Sequence, residues 1–273
     1  MSSKEVRGIT AVYVLTKNEE VNIGKCLSRL YECGASVIVL DSGSEDRTRE
    51  ICSEFKNCKV QDFAFKNHTE TWNLITGVWH RHSEYVMILD ADMEVSCSLW
   101  SEAVQLTYDG PDVILAPVRM YVEGRPLKFG SLYPPKAVVF RGGEKYFLPK
   151  GHCSQLRSNI RTCRTSNYLI HNDLKPYSAY LMSQVRYGRL LYERFEKGLI
   201  SWKDWLRATS PLMALIFPLV SLFVRGGILA GKTGLIYALD RSIAALVQYR
   251  TVLACSLREN LQKTESTVGS EVT

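Results

Sequence analysis

The chain has 273 residues, of which 46% are hydrophobic and 23% are charged. This composition is typical of a folded globular protein and excludes a wholly disordered chain. The formal net charge of +6 is too small to favour nucleic-acid binding, so no nucleic-acid partner is predicted. The N-terminal segment MSSKEVRGIT lacks the apolar region of a signal peptide, which favours a cytoplasmic location. None of the eight cysteines is spaced C-x-x-C, so a structural zinc site is not expected.

The first hundred residues alternate between strand and helix patterns. Short apolar, β-branched runs predict the strands, and apolar residues at helical spacing predict the helices between them. The predicted strands cover residues 9–15, 36–40, 59–65 and 85–89. The predicted helices cover residues 19–33, 47–56, 68–82 and 97–107. Because strands joined by crossover helices pair in parallel, the sequence predicts an α/β fold with a mostly parallel sheet flanked by helices.

Polar segments follow three of the predicted strands, at residues 16–20, 41–46 and 90–94. In sheets of this kind, ligands bind at the carboxyl ends of the strands. The three segments are therefore expected to meet in one crevice.

The pattern changes from about residue 112. Short strands are predicted at 113–117, 119–122 and 137–140, and the Gly- and Pro-rich turns between them indicate antiparallel pairing. Residues 177–207 have a helical pattern, and residues 263–273 have the polar composition of a disordered tail.

The segment Asp90-Ala-Asp92 is the sharpest chemical motif. Two carboxylates at the end of a buried strand lose hydration and repel each other. A divalent cation such as Mg²⁺ or Mn²⁺ relieves both effects, and it would also neutralise the diphosphate of a leaving nucleotide. An exposed acidic turn is the alternative interpretation.

Two further acidic residues each allow a ligand-binding interpretation and a purely structural one. Asp41 follows a strand in the same way and would accept hydrogen bonds from a base or a ribose, but an Asp in the run DSGS also suits an ordinary turn. Glu19 would contact a nucleotide, or it would be an acidic residue in the first turn of a helix.

Three runs together carry a family resemblance. They are VLTKNEEVNIGKCL at 14–27, VIVLDSGSEDRT at 37–48 and YVMILDADMEV at 85–95. In this order they resemble the nucleotide-binding half of the family 2 inverting glycosyltransferases, which have the Rossmann-like GT-A fold. The later runs LPKGHCSQL, IHNDLKP and GGILAGKTGLIYAL are similar to the bacterial branch that acts on lipopolysaccharide core or related envelope glycans.

The resemblance implies a nucleotide-sugar donor, with a UDP-sugar favoured, and Mn²⁺ or Mg²⁺ as the metal. It implies donor contacts for Thr16, Glu19, Asp41, Asn73 and Asp90. It further implies that Asp92 binds the metal ion, with His171 as the candidate for a second ligand. Met93 stands where the family more commonly has Glu, which leaves any role of Glu94 open.

An inverting transfer needs a base that takes the proton of the acceptor hydroxyl. Asp173 in IHND and His152 in KGHC are the two candidates. An imidazole has a suitable pKa, whereas a carboxylate needs only close geometry. The sequence does not choose between them.

The C-terminal part is basic and aromatic. Trp202 and Trp205 stand among Arg and Lys residues, and an apolar run follows at 211–224. This combination suits an anionic membrane surface, and a lipid-anchored acceptor would require such a location. A buried helical hairpin or a contact in a homo-oligomer is the alternative.

The sequence therefore predicts a GT-A catalytic domain at 1–175, a helical membrane-proximal appendage at 176–262 and a tail at 263–273. The predicted function is metal-dependent, inverting transfer of a sugar to a cell-envelope glycan or lipid-linked acceptor, on the inner face of the cell membrane. A nucleotidyltransferase that makes a sugar nucleotide and an inactive membrane-bound scaffold are the alternatives. A dehydrogenase is disfavoured, because no G-x-G-x-x-G follows the first strand.

Overall fold

The computed structural model describes residues 8–80, 84–150 and 153–271, with side chains over 8–80, 84–148 and 156–259. The chain forms two compact units. The first unit comprises Met1–Leu127, Leu132–Pro149 and Ser154–Lys175. The second unit comprises Lys128–Ser131, Lys150–Cys153 and Pro176–Thr273.

The first unit is built from strands and four α-helices within its described residues. Its strands are β1 (Ile9–Thr16), β2 (Val37–Asp41), β3 (Cys58–Asp62), β4 (Tyr85–Asp90), β5 (Met93–Glu94), β6 (Val113–Ala116), β7 (Val118–Val122), β8 (Arg125–Pro126), β9 (Lys136–Arg141), β10 (Phe147–Lys150), β11 (Cys153–Leu156), β12 (Thr162–Arg164) and β13 (Leu169–His171). Its helices are α1 (Ile23–Glu32), α2 (Thr48–Ser53), α3 (His68–Leu74) and α4 (Cys97–Thr107). A π-helical turn, Ile75–Trp79, continues α3.

The main sheet has seven strands in the described part of the chain, in the order β12-β6-β9-β4-β1-β2-β3. Strand β1 pairs in parallel with β2 and β4, and β2 pairs in parallel with β3. Strand β9 is antiparallel to β4 and β6. This is the expected α/β architecture, a mostly parallel sheet flanked by helices, and the antiparallel element expected after residue 112 is β9.

The two faces of this sheet carry separate apolar clusters. On one face, Val12 and Val14 of β1 pack with buried residues of α1 and α4. On the other face, Ala11 and Tyr13 pack with Ile75 and with residues of β9 and β10. Because side chains alternate along a strand, β1 is buried on both faces. The polar functional residues are therefore expected at the ends of the strands rather than along them.

A smaller sheet brings a distant segment to the end of β4. In the order β5-β13-β7-β8, β13 pairs antiparallel with β5, and His171 lies opposite Met93. The chain segment that ends at His171 is thereby fixed next to the segment that follows Asp90. Strands β10 and β11 form a separate two-stranded sheet.

The second unit is helical. Its helices are α5 (Tyr177–Glu196), α6 (Trp202–Thr209), α7 (Met213–Leu219) and α8 (Lys232–Glu271), with a π-helical turn at Val220–Val224 and a 3₁₀ turn at Gly227–Ala230. Helix α8 packs against both α5 and α7. A Cβ added at Gly188 of α5 would lie 2.7 Å from the Cβ of Thr251 in α8, so a glycine is needed at this close approach.

Several boundaries differ from the sequence-based expectations. Helix α1 begins at Ile23 rather than at residue 19, because residues 19–22 form a turn in which Ile23 N donates to the Glu19 carbonyl. The helix expected over 177–207 is broken after α5, where Gly198 has a left-handed φ of +64°. Helix α8 extends to Glu271, over a segment expected to be a tail; this segment contains no proline.

Within the described residues, no single helix is both long and apolar enough to cross a membrane. Helix α6 and residues 213–224 meet these criteria only as a pair, and the pair is bent by 119°.

Candidate active site

The site begins where the adjacent strands β1 and β2 end. Thr16 lies opposite Asp41 in the parallel register, and its hydroxyl donates to Asp41 Oδ1 over 3.1 Å. The Asp41 carboxylate also accepts from the hydroxyl and amide of Ser44 and from Arg49. Burial by itself raises the pKa of Asp41, but the bonds from Ser44, and then from Arg49 and Thr16, outweigh it and hold the pKa below its ordinary value.

The loops that follow β1 and β2 are tied to each other by hydrogen bonds. Asn18, in the left-handed region at φ 55°, accepts from the backbone of Glu45 and donates its own amide to Ser44 Oγ. The amide of Glu19 donates to the Thr48 hydroxyl over 2.8 Å. These bonds give the expected nucleotide-binding segments a fixed shape before any ligand binds.

Asp90 ends β4, the strand on the other side of β1, where it lies opposite Leu15. Its carboxylate is paired with the ammonium of Lys136, the first residue of β9. Burial lowers the pKa of Lys136, but the charge of Asp90 outweighs this effect and the pKa is raised. The Lys136 ammonium also lies 5.8 Å from the ring centroid of Trp72. A fully charged lysine therefore stands at the strand end.

The Asp92 carboxylate is largely buried, and only one of its two oxygens has a hydrogen-bond partner. Its Oδ2 lies 3.2 Å from Nε2 of His171, whereas its buried Oδ1 has no hydrogen-bond partner. Burial raises the pKa of Asp92 and lowers that of His171, but their mutual hydrogen bond outweighs burial in both cases, so the pKa of Asp92 is lowered and that of His171 is raised. The two groups are joined by this contact, and the carboxylate retains an unused acceptor.

A third acid–base pair involves Glu19 in the turn before α1. Its Oε1 is paired with the ammonium of Lys175, and its Oε2 accepts from the side-chain amide of Asn22 over 2.9 Å. The same amide nitrogen donates to Asp173 Oδ1 over 2.9 Å. Burial raises the pKa of Glu19, and the bonds from Lys175 and Asn22 only partly oppose that rise. Asp173 itself is exposed.

These three pairs act on one another as a single charged cluster. The negative charge of Asp92 acts to raise the pKa of Glu19 and of Lys136, and the positive charge of Lys175 acts to lower the pKa of Asp92. The cluster offers cations to a phosphate group and carboxylate and imidazole donors to a metal ion. Within the described side chains, no group of three or more His, Cys, Asp or Glu residues is arranged to hold a metal. The pair Asp92 and His171 could supply two donors to a metal ion, since Oδ1 of Asp92 has no hydrogen-bond partner.

Two of the residues expected to contact a ligand already have protein partners in the structure. Both polar atoms of the Asn73 amide bond the backbone of Phe147, at 2.8 and 3.0 Å, which ties α3 to β10. Each oxygen of Asp41 already accepts two hydrogen bonds from the protein, so a contact with a base would have to replace one of them. His152 lies outside the described residues.

The residue that sequence reasoning missed is Lys136. It stands 46 residues from Asp90 in the chain, in a turn-rich segment without a spacing signal, and only the antiparallel pairing of β9 with β4 brings it to the strand end. Tyr133, three residues earlier, has its ring 5.6 Å from that of His171. Lys175, two residues after Asp173, is paired with Glu19.

Comparison with protein families gives one clear match. The model of "Glycosyl transferase family 2" matches residues 11–164, more than half of the chain. The matched segment includes β2, β4 and all of β1 from residue 11, with the residues that end these strands. No curated protein sequence matches the chain.

Two solved structures are similar to parts of the chain at low identity. One is glucosyl-3-phosphoglycerate synthase from Mycobacterium tuberculosis in complex with Mn²⁺, uridine diphosphate and glucosyl-3-phosphoglycerate, at 19% identity and a TM-score of 0.34; the match covers 43% of this chain and 46% of that chain. The other is 4-diphosphocytidyl-2C-methyl-D-erythritol synthase, at 11% identity and a TM-score of 0.42, with 63% of this chain and 96% of that chain covered. The chain thus spans less than half of the mycobacterial enzyme.

Proposed function

Because the chain belongs to glycosyl transferase family 2, we propose that it transfers a sugar from a nucleotide-sugar donor to an acceptor hydroxyl, with inversion at the anomeric carbon. The observation that carries this proposal is the Asp92 carboxylate, which has one oxygen on His171 and the other buried without a partner. Asp92 follows Asp90 by two residues, just after the point where β4 ends beside β1. A UDP-sugar is the proposed donor.

Asp92 and His171 are the proposed ligands of Mn²⁺ or Mg²⁺. A buried carboxylate oxygen without a hydrogen bond costs free energy unless a ligand supplies its partner, and hard cations prefer such oxygens. When bound, the metal ion would neutralise negative charge that develops on the departing diphosphate. Two protein ligands would leave the other positions to donor oxygens and water.

The proposed donor contacts follow from the strand ends. Thr16 and Asp41, which are joined by a hydrogen bond, line the bottom of the proposed nucleotide site. Glu19 borders the nucleotide from the turn before α1, and Asp90, oriented by Lys136, faces the ribose. For Asn73 a diphosphate contact remains part of the proposal, although it requires release of the Phe147 backbone.

The proposed chemical step forms one bond and breaks one. The acceptor oxygen attacks the anomeric carbon, the bond from that carbon to the diphosphate breaks, and the hydroxyl proton passes to a base. Asp173 is the proposed base, since its carboxylate is exposed while its Oδ1 is oriented by Asn22. His152 is the alternative.

The proposed acceptor is a cell-envelope glycan or a lipid-linked glycan of the lipopolysaccharide-core type, reached from the cytoplasmic face of the membrane. We assign catalysis to residues 1–175 and membrane attachment to 176–262, with self-association into a homo-oligomer as the alternative role of that segment. The basic residues and exposed apolar side chains of α6 and α7 support the membrane role. The proposal includes no nucleic-acid partner.

The variant Asp92→Asn tests the function. It keeps the size of the side chain but removes the charge that would bind the metal, so transfer should fall by about a thousandfold if the metal contributes several kcal/mol. Thermal unfolding with UDP-, GDP-, ADP- and CMP-sugars, with and without Mn²⁺, supplies a second measurement. A donor at 100 times its Kd stabilises by about 2.7 kcal/mol, and this stabilisation should be lost in the variant.

The control is Asp109→Asn, the same change at an exposed turn after α4, which should behave as the wild type. Full transfer activity in a folded Asp92→Asn protein would overturn the proposed mechanism. Release of pyrophosphate rather than a nucleoside diphosphate would favour the nucleotidyltransferase. Donor binding without turnover of any acceptor would favour the scaffold.

A further inference from the structure

The second unit exposes an unusual density of apolar side chains on one segment. We call this segment the apolar hairpin; it runs from residue 212 through α7, the π-helical turn and the 3₁₀ turn into the start of α8, to residue 239. Its exposed large apolar residues are Leu212, Leu215, Ile216, Leu219, Phe223, Val224, Ile228, Leu229, Leu235, Ile236 and Leu239. Single exposed apolar residues are ordinary, but a concentration of this kind marks a binding surface.

The tip of the apolar hairpin is preformed. A Cβ added at Gly130 would lie 2.6 Å from the Cα of Gly227, so the two backbones pass in direct contact. The Ser221 hydroxyl donates to the Gly130 carbonyl over 2.8 Å, and the Gly130 amide donates to the Arg225 carbonyl over 2.9 Å. The turn is therefore a packed structure, and its outward side chains are held outward: Val224 is 74% exposed and Leu229 is 75% exposed.

The charges around the hairpin identify its partner. Between residues 199 and 239 the charged residues are Lys203, Arg207, Arg225 and Lys232, with Asp204 as the single acid. Two copies of the chain that met through this surface would bring cations against cations, which is unfavourable. Anionic lipid headgroups complement the same charges.

Helix α6 supplies a second feature typical of a bilayer surface. Trp202 and Trp205 are exposed beside Lys203 and Arg207, and tryptophan with basic neighbours is suited to the headgroup region. Residues 213–224, twelve in number, rise about 18 Å as a helix, while the hydrocarbon core is about 30 Å thick. The segment therefore matches the depth of a single leaflet.

We propose that the apolar hairpin is a membrane wedge. Its tip, formed by Phe223, Val224, Ile228 and Leu229, inserts into one leaflet of an anionic bilayer, while α6 lies among the headgroups. This inference rests on the membrane association proposed above and is independent of the transfer reaction.

The test is sedimentation of the full-length protein with vesicles of phosphatidylcholine, with and without phosphatidylglycerol. The wild-type protein should bind the vesicles that contain phosphatidylglycerol, and more weakly as salt is added. The double variant Phe223→Ser, Leu229→Ser should lower the partition coefficient by roughly a hundredfold, since burial of each such side chain contributes about tenfold or more. Arg225→Gln should lower it by about fivefold.

The matched control is Met182→Ser, Leu190→Ser, which removes two exposed apolar side chains from α5 and should leave binding unchanged. Circular dichroism establishes that each variant is folded, and nucleotide-sugar binding establishes that the first unit is intact. Equal binding by the tip variant and the wild type would overturn the wedge. So would absence of vesicle binding together with a concentration-dependent dimer that the tip variant abolishes, because the partner would then be a second copy. Either result would leave the transferase proposal standing.

Discussion

Asp41 and Asp92 are both carboxylates at strand ends, yet their surroundings assign them different roles. Both oxygens of Asp41 are saturated by Thr16, Ser44 and Arg49. Asp92 has one oxygen on His171 and one buried without a partner. A saturated buried carboxylate anchors the loops around it, whereas an unsatisfied one costs about 1–3 kcal/mol, which supports the metal ligand proposed above.

Asp41→Asn should lower the free energy of unfolding by about 3 kcal/mol, because an amide group would face donors that now bond a charged oxygen. The pH dependence of this stabilisation follows from the direction in which the pKa of Asp41 is shifted. The pKa of Asp41 is lowered in the folded protein, so its stabilisation is present above the unfolded pKa of about 3.9 and is lost as the pH falls through the folded value. Urea unfolding from pH 7 to pH 3 should show the difference between variant and wild type shrinking in acid.

Asp62→Asn is the matched control, since Asp62 is an exposed partner of the same Arg49. An exposed pair contributes about 1 kcal/mol or less, so this variant should differ little from the wild type. A loss as large as that of Asp41→Asn would show that Arg49, rather than the saturated carboxylate, is the anchor.

At the scale of elements, helix α4 fixes the position of the turn that precedes β13, the strand that ends at His171. Glu102 of α4 accepts from the backbone amides of Ser166 and Asn167, at 2.6 and 2.9 Å, and from the Asn167 side chain. Burial raises the pKa of Glu102, but these bonds outweigh it and the pKa is lowered. The turn between β12 and β13 is therefore fixed to α4. Strand β13, which follows the turn in the chain, pairs with β5.

Glu102→Gln should destabilise the protein by about 1–3 kcal/mol, because its added NH₂ group would face amide donors. Chemical denaturation measures the loss. Glu32→Gln, which breaks an exposed pair with Arg29 within one turn of α1, is the control and should change stability by a few tenths of a kcal/mol. Equal effects of the two changes would mean that the bonds of Glu102 do not hold the turn.

The elements that the sequence predicted well are those with a strong local pattern. Strands β1, β2 and β4 are continuous apolar runs, and each ends within a residue of its expected limit. The turn at 19–22, the break after α5 and the π-helical continuation of α3 were not predicted, because each depends on hydrogen bonds or packing between elements. Periodicity reports which face of an element is buried, but it does not report where an element ends.

At the scale of the whole molecule, the two units should respond to different ligands. Hydrogen exchange should slow in the strand-end segments on addition of a UDP-sugar and Mn²⁺, and it should slow in the apolar hairpin and α6 on addition of anionic vesicles. The first set comprises residues 16–22, 41–48, 90–94 and 169–175. The second set comprises residues 202–239. Mass spectrometry of peptides from the full-length protein measures both.

Vesicles of phosphatidylcholine alone serve as the control for the second set, since they lack the anionic headgroups. Protection of residues 202–239 by the nucleotide-sugar, with none at the strand ends, would contradict the assignment of the donor site. Protection of the strand ends by vesicles alone would contradict the separation of roles between the two units.

The sequence by itself determined the α/β class, the parallel strands β1, β2 and β4, and the acidic residues at or just after their ends. These properties are local, because an apolar run and the polar residues that follow it are adjacent in the chain. The family resemblance already indicated His171 as a neighbour of Asp92. The position of Lys136 on Asp90 and the saturation of Asp41 were decided only by the tertiary structure. Each joins residues from separate strands or loops, and pairing between distant strands leaves no spacing in the sequence from which such contacts can be read.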